Sequence, residues 1–424
     1  MKPIEAVLVG AGQRGTDAFG NLALKNPDEL KFTAVAEPHE GRRKRFAEQH
    51  GIPVERQFTS WKEMFAQPLL APACVNATMD LEHLESATAA LEAGYDLFLE
   101  KPMATTVEGC REIVRVARKT GRAVMICTPL RFTPFYKKVK EQIDAGAIGR
   151  PLAVSMSENV ASWHFAHSFV RGNWGVVEKS GPLILTKCCH DMDLVRWLLD
   201  VPPVEVNSRG DLLLFRRENM PEGAPKFCIE GCPVAETCAF NAEKLYGGET
   251  SEWPVSVISL DKSREARRAV LGTSPFGRCV YRCDNTAVDE QIVVATFANG
   301  TLVDFAVRAH TVYPYRTIRV LGSEGELSGH AERGVIKVQR FVAANWSDPE
   351  SLEFNITNDE AGAHMGGDAG GIKHFTRCLR EDNRAELDRG LQIALEGHLL
   401  SFAAEAARAE NRTVNFASEF NTAL

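Results

Sequence analysis

No apolar run in the 424-residue chain reaches the roughly 20 residues that a membrane-spanning helix needs. The basic, apolar and small-residue succession of a secretory signal is missing too, because a strand-like run starts within the first ten residues. These absences predict a cytoplasmic protein with no membrane partner. Positive charge is not in excess: 49 Lys and Arg face 56 Asp and Glu, for a net charge of -7 and a pI near 5.9. That removes the electrostatic footprint of a nucleic-acid binder and leaves a small molecule as the expected partner. There is no internal repeat and no low-complexity tract, which excludes a solenoid or a disordered chain. A disulfide framework is not expected either, since 11 cysteines is an odd number spread over a long chain in a reducing compartment. Free thiols or a metal are the alternatives. With 44% hydrophobic and 25% charged residues, the chain is an ordinary globular one, long enough for two domains.

The first distinctive stretch is Val7-Leu8-Val9-Gly10-Ala11-Gly12-Gln13-Arg14-Gly15. An apolar strand breaks into three glycines and continues as a helix predicted over Thr16–Ala23. Gly10 permits the tight turn, Gly12 lets the backbone approach a pyrophosphate, and Gly15 lets helix and strand pack closely. The phosphates would sit on the helix N-terminus. An acidic residue about 20 positions on is the discriminating check, and Glu37 ends the second predicted strand, Phe32–Ala36. Its carboxylate suits an adenosine ribose and repels a 2'-phosphate, which favours NAD over NADP. Arg42-Arg43-Lys44-Arg45 lies close enough to meet a 2'-phosphate, but also reads as the solvated face of a helix.

Strand and helix then alternate. A helix is predicted over 40–50, a short one capped by Thr59 or Ser60, a strand at 74–78, a helix over 81–93 and a strand at 96–99. A helix opened by a Thr105–Glu108 capping box and a last strand at 123–127 complete the series. Such alternation implies a parallel sheet with helices on both faces, and ligands beyond the carboxyl ends of its strands. Gly10, Thr78 and Glu100-Lys101-Pro102 each follow a strand and should converge on one cofactor. A lysine after a buried strand is ordinarily just solvated, but Pro102 pins this one.

Taken with the helix start bearing His190, these motifs resemble the Gfo/Idh/MocA family of oxidoreductases over nearly the whole chain. The resemblance implies an α/β fold: an N-terminal Rossmann domain with a doubly wound parallel sheet, and a C-terminal α+β domain built on a large open, mostly antiparallel sheet. The boundaries are set at 1–128 and 129–424. It also implies a homo-oligomer formed through that open sheet, and nicotinamide chemistry on a carbohydrate substrate, a sugar or cyclitol. Gly10, Gly12, Gln13, Arg14, Gly15, Glu37, Thr78, Glu100 and Lys101 are the cofactor contacts. Lys101 and His190 are the catalytic pair, Lys101 taking the hydroxyl proton with help from His190. In many members an aspartate stands four residues before this histidine. Here Thr186 stands there, and Lys187 and Asp191 are the candidates to replace it.

In the second domain Arg131 marks the crossover, and Trp163–Trp174 supplies His164, His167, Arg171, Asn173 and Trp174 without clear periodicity. Sugar sites need donors for hydroxyls and an aromatic face for the ring, so the stretch reads as a substrate loop; a plain surface loop is the alternative. Lys187, Asp191 and His364 join this substrate set, His364 standing before a helix predicted from Ala369. Strands are predicted at 152–157, 211–216, 290–297 and 301–307, the last two joined by the hairpin signal Asn299-Gly300. An insertion near 217–285 carries Cys228, Cys232, Cys238, Cys279 and Cys283. Cys228, Cys232, Cys238 and Cys283 are a candidate structural zinc set, against plain free thiols. Two further functions stay open: an NAD-dependent, redox-neutral glycoside hydrolase, and a non-catalytic dinucleotide sensor.

Overall fold

The computed structural model describes residues 2–250, 252–342, 351–357 and 363–420. β1 (Ile4–Val9), β2 (Leu30–Ala36), β3 (Gln57–Phe58), β4 (Ala73–Asn76), β5 (Asp96–Leu99) and β6 (Val124–Ile126) form a six-stranded sheet in the order β3-β2-β1-β4-β5-β6. Every pairing in it is parallel. All four residues of β4 and of β5 are buried, as continuous apolar strands covered on both faces must be. The strand order reverses between β1 and β4, so the crevice beyond their carboxyl ends is where a ligand belongs.

Several local expectations shift. The helix after the glycines starts at Arg14 and runs as a wide π-type turn to Gly20 before becoming α-helical over Asn21–Lys25. Ser60 is the cap of the short helix, accepting the Glu63 N–H, whereas the next cap is Thr106 rather than Thr105, accepting the Gly109 N–H at 3.0 Å. The strand predicted at 211–216 instead ends at Asp211. Beyond it the Asp289 carboxylate accepts the Leu213 and Leu214 N–H groups at 2.7 and 2.8 Å, pulling the chain off the sheet. The stretch read as an irregular substrate loop is helical over Ser162–Phe165 and Ala166–Arg171.

The second sheet contains β7 (Pro151–Ala161), β8 (Pro203–Asp211), β9 (Glu290–Phe297), β10 (Leu302–Thr311), β11 (Tyr315–Gly322), β12 (Gly325–His330), β13 (Val335–Arg340), β14 (Ser351–Asn355) and β15 (Val414–Asn415). Their order is β14-β13-β12-β11-β7-β10-β9-β8-β15, antiparallel except where β7 meets β10. The Asn299-Gly300 hairpin joins β9 to β10, with Gly300 in the left-handed region at φ 83°. One face is buried; the other exposes Ile292, Val294, Leu302 and Leu321. No helix among the described residues is long and apolar enough to cross a membrane.

The two domains are tied by the C-terminal helices. The helix Gly367–Arg380 packs Ile372, Phe375 and Cys378 into the core around Phe19 and Phe98, with the Phe98 and Phe375 rings 5.5 Å apart. The 27-residue helix Arg384–Glu410 runs between the sheets and crosses the helix Cys189–Leu199, where Arg196 pairs with Glu396. At that crossing a Cβ on Gly397 would lie 2.6 Å from the Asp193 Cα. Gly397→Ala is therefore expected to destabilise: overpacking against backbone costs about 1–3 kcal/mol, and the helix preference of alanine offsets at most about 1. A urea midpoint equal to that of the parent would contradict this close crossing.

Candidate active site

Gly10 adopts φ 87°, and a Cβ there would stand 2.5 Å from the Ala77 carbonyl oxygen. At Gly15 it would meet the Gly10 oxygen at 2.0 Å, whereas at Gly12 it would meet nothing within 4 Å. Two glycines are thus demanded by the fold, and Gly12 faces open space, as a cradle for a pyrophosphate requires. Glu37 is buried at the end of β2, its carboxylate accepting the Ala11 and His39 N–H groups, each at 2.9 Å. Arg43 Nη1 donates to the Glu37 carbonyl at 2.6 Å and Lys44 pairs with Glu40, so these two cations of the basic run are engaged locally.

Arg14 lies inside an ion network rather than on an open turn. Its Nε donates to Glu100 at 2.6 Å, and Nη1 and Nη2 donate to the two Asp368 oxygens at 2.9 and 2.8 Å. Glu100 in turn accepts the Lys101 N–H at 2.9 Å. His364 Nδ1 is 3.1 Å from Asp368, and the backbones of His364 and Met365 are held at φ 53°, a left-handed conformation that costs energy outside glycine. The Arg14 guanidinium holds the Asp368 carboxyl well below the usual range against the opposing effect of burial.

Lys101 is fixed from several sides. Its Nζ donates to the Thr186 carbonyl at 2.8 Å, so position 186 contributes through its backbone. His83 spans the turn, one ring nitrogen 2.6 Å from the Pro102 carbonyl and the other 3.2 Å from that of Thr78. His398 accepts the Met103 N–H at 2.9 Å. His190 is buried, its ring 5.5 Å from that of His364, and its Nδ1 has no partner among the described residues. Burial first, and the nearby Lys101 cation second, keep this imidazole neutral. A neutral buried imidazole beside an ammonium group can accept a proton from a hydroxyl held between them.

Behind this pair lies a buried cluster. Lys187 Nζ is 3.3 Å from Glu158, and Arg316 reaches Glu158 at 2.5 Å and Asp191 at 3.2 Å. Burial lifts the Asp191 carboxyl against the pull of Arg316, while Arg316 and Lys187 together hold Glu158 low. Trp174 Nε1 donates to Asp80 at 2.7 Å. His164 stands half-buried, within electrostatic reach of Lys187, and burial followed by that cation lowers its pKa well below the usual value. Glu158, Arg316 and Asp80 are not among the residues that sequence reasoning selects, whereas Asp368 stands in the His364–Asp368 stretch read as either a ligand approach or a plain loop.

Other expected substrate residues point elsewhere. Arg131 is buried against Asp193 at 2.8 Å. His167 meets the Tyr246 hydroxyl at 2.8 Å, and Arg171 donates to the carbonyls of Arg278 and Phe240 at 2.7 and 2.6 Å, so both brace the insertion. Asn173 is exposed. In the proposed zinc set, Cys279 joins Cys228, Cys232 and Cys238 around a cavity whose wall does not include Cys283.

The description of an oxidoreductase family with an NAD-binding Rossmann fold matches residues 4–128, and that of its C-terminal α/β domain matches 140–389. The chain belongs to the Gfo/Idh/MocA family. Among its relatives, scyllo-inositol 2-dehydrogenase (NAD(+)) of Bacillus subtilis (strain 168) is 26% identical over 217 residues, 50% of this chain and 58% of that protein. The 1,5-anhydro-D-fructose reductase of Ensifer adhaerens is 30% identical over 184 residues, 42% of this chain and 52% of its own length. The chain thus spans less than two thirds of the curated relatives it matches. Levoglucosan dehydrogenase, solved with NADH and L-sorbose, shares the fold with a TM-score of 0.71 at 17% identity, over 98% of this chain and 99% of that one.

The histidine that supports the Lys101 turn makes folding pH-dependent. Burial lowers His398 to about 4, against about 6.5 in an unfolded chain. Its contribution is complete above pH 6.5, where both states are neutral, and is eroded as pH falls towards 4, by about 3 kcal/mol in all. His398→Gln should flatten the fall in unfolding free energy between pH 6.5 and 4.5 by close to one proton. An unchanged slope would show that His398 does not titrate this way.

Proposed function

We propose that the chain is an NAD-dependent oxidoreductase that transfers hydride at a hydroxyl-bearing carbon of a sugar, cyclitol or related polyol. The observation that carries this reading is the Lys101 ammonium, anchored by one N–H on the Thr186 carbonyl beside the buried, neutral His190. NAD, when bound, supplies the hydride acceptor. Lys101 keeps two N–H donors for the reacting oxygen, so, in place of the expected proton transfer to Lys101 itself, the His190 imidazole takes the hydroxyl proton as the carbon loses hydride. Lys187 and Asp191 fill the role of the missing aspartate only indirectly, through Glu158 and Arg316. NAD is favoured over NADP because Glu37 is fixed where a 2'-phosphate would lie and Arg43 is tied to the backbone. The dehydrogenase and reductase names of the relatives point to the same substrate class.

Lys101→Ala should retain NAD binding and lose turnover by about 100-fold or more. The measurement is NADH formation across a panel of sugars, sugar acids, cyclitols and nitrophenyl glycosides, with NAD affinity determined in parallel. Turnover near that of the parent would remove Lys101 from the mechanism. Nitrophenol release without net NADH would instead favour the glycosidase, and NAD binding with neither signal the sensor.

The open face of the second sheet supports assembly with a second copy, since Ile292, Val294 and Leu302 are each about half exposed side by side on β9 and β10. Ile292→Glu combined with Leu302→Glu should convert an oligomer into a monomer in sedimentation. An unaltered sedimentation coefficient would place the interface elsewhere.

A further inference from the structure

Four cysteines from two separate stretches of the insertion line one cavity: Cys228, Cys232 and Cys238 from the first, Cys279 from the second. Backbone pairing fixes the two stretches together. Phe227 and Arg278 form an antiparallel bridge, the Cys228 N–H donates to Gly277 O, and the Cys279 N–H donates to Lys226 O, each at 2.9 Å. None of these cysteines is in a disulfide. The remaining wall is proline, aliphatic and aromatic side chains with Asn241, and it offers no carboxylate or imidazole among the described residues. The donor set is therefore sulfur throughout.

A second observation points to negative charge at this place. Arg171 is 3% exposed, its Nη2 lies 3.7 Å from the Cys228 sulfur, and its Nη1 has no hydrogen-bond partner. Its other N–H groups meet the main-chain carbonyls of Arg278 and Phe240, the neutral Tyr246 hydroxyl lies beside it, and no carboxylate pairs with it among the described residues. A buried guanidinium without a counter-charge is costly, and metal-bound thiolates would provide one.

We propose that this cage binds an iron–sulfur cluster of the four-iron type through Cys228, Cys232, Cys238 and Cys279, with Arg171 as its charge partner. On ligation each thiol releases its proton to solvent. Spacing separates this centre from zinc. Four thiolates at about 2.3 Å from one tetrahedral zinc stand only about 3.8 Å apart. No three cysteine sulfurs among the described residues lie within 4.8 Å of one another. A cluster interposes its iron–sulfide core between the thiolates and so takes the wider cage.

The insertion has reason to need such a staple. Its own core is Ala242, Tyr246, Val255, Ile258 and Leu271, and from Met220 to Asn241 it forms no helix or strand beyond the single bridge. The cluster would also fix the ground under the helical segment Ser162–Arg171, because Arg171 and His167 both dock on the insertion. Its assigned role is structural, with no electron transfer to the active site.

The test is iron, acid-labile sulfide and zinc analysis of the full chain purified without oxygen, together with its visible spectrum. About four irons and four sulfides per chain are expected, with a broad thiolate-to-iron absorption that dithionite bleaches. Cys232→Ser should lower iron to less than about one per chain, whereas Cys283→Ser, outside the cage, should retain it. About one zinc in place of iron would overturn the proposal, as would a chain that stays metal-free after anaerobic incubation with equal amounts of ferrous and ferric iron and with sulfide. The analysis of the unmodified chain decides this even if Cys232→Ser fails to fold.

Discussion

The Arg14 guanidinium joins three pieces of chain that are remote in sequence: the glycine turn, the Glu100-Lys101 turn and the start of the helix Gly367–Arg380. Both carboxylates it meets are nearly fully buried, and this one cation is the charge that they share. Loss of one partner from such a buried network typically costs about 3–5 kcal/mol, because a charge is left uncompensated. The direction of Lys101 follows from it, since Glu100 uses one oxygen for Arg14 and the other for the Lys101 backbone. The position of His364 follows too, through Asp368.

The parts of the site that were legible in the sequence are those whose meaning is local. Gly10, Gly12, Gly15 and Glu37 are separated by the lengths of one strand, one turn and one helix, and Lys101 is marked by its proline. His167, Arg171 and Arg131 have the composition of a sugar site, but composition does not say which way a side chain points, and theirs point into the protein. Glu158 and Arg316 did leave a signal. Arg316 shares the inward register of β11 with Ile318 and Val320, and Glu158 that of β7 with Val154 and Met156. A charge in a buried register needs a partner, and these two are each other's. The end of β8 was unreadable for a different reason, because it depends on a carboxylate nearly 80 residues further on.

The candidate active site itself has an uneven electrostatic design. Lys101, Lys187 and Arg316 crowd one side, and burial keeps His164, His190 and His364 from adding to that charge. The imidazoles are thereby left as proton acceptors among fixed cations. Asp191 and Glu158, chemically almost the same, are driven in opposite directions by their places around Arg316. This arrangement suits holding an electron-rich oxygen and removing a proton from it.

The chain passes between the domains at two places, once at Cys127–Arg131 and again through the helices Gly367–Arg380 and Arg384–Glu410. One apolar core also runs through both bodies, from Val7 and Leu99 in the first sheet to Val154 and Val320 in the second. The Arg14 network lies beside the second joint. A change of packing at either sheet is therefore felt at the other, because close-packed side chains transmit strain.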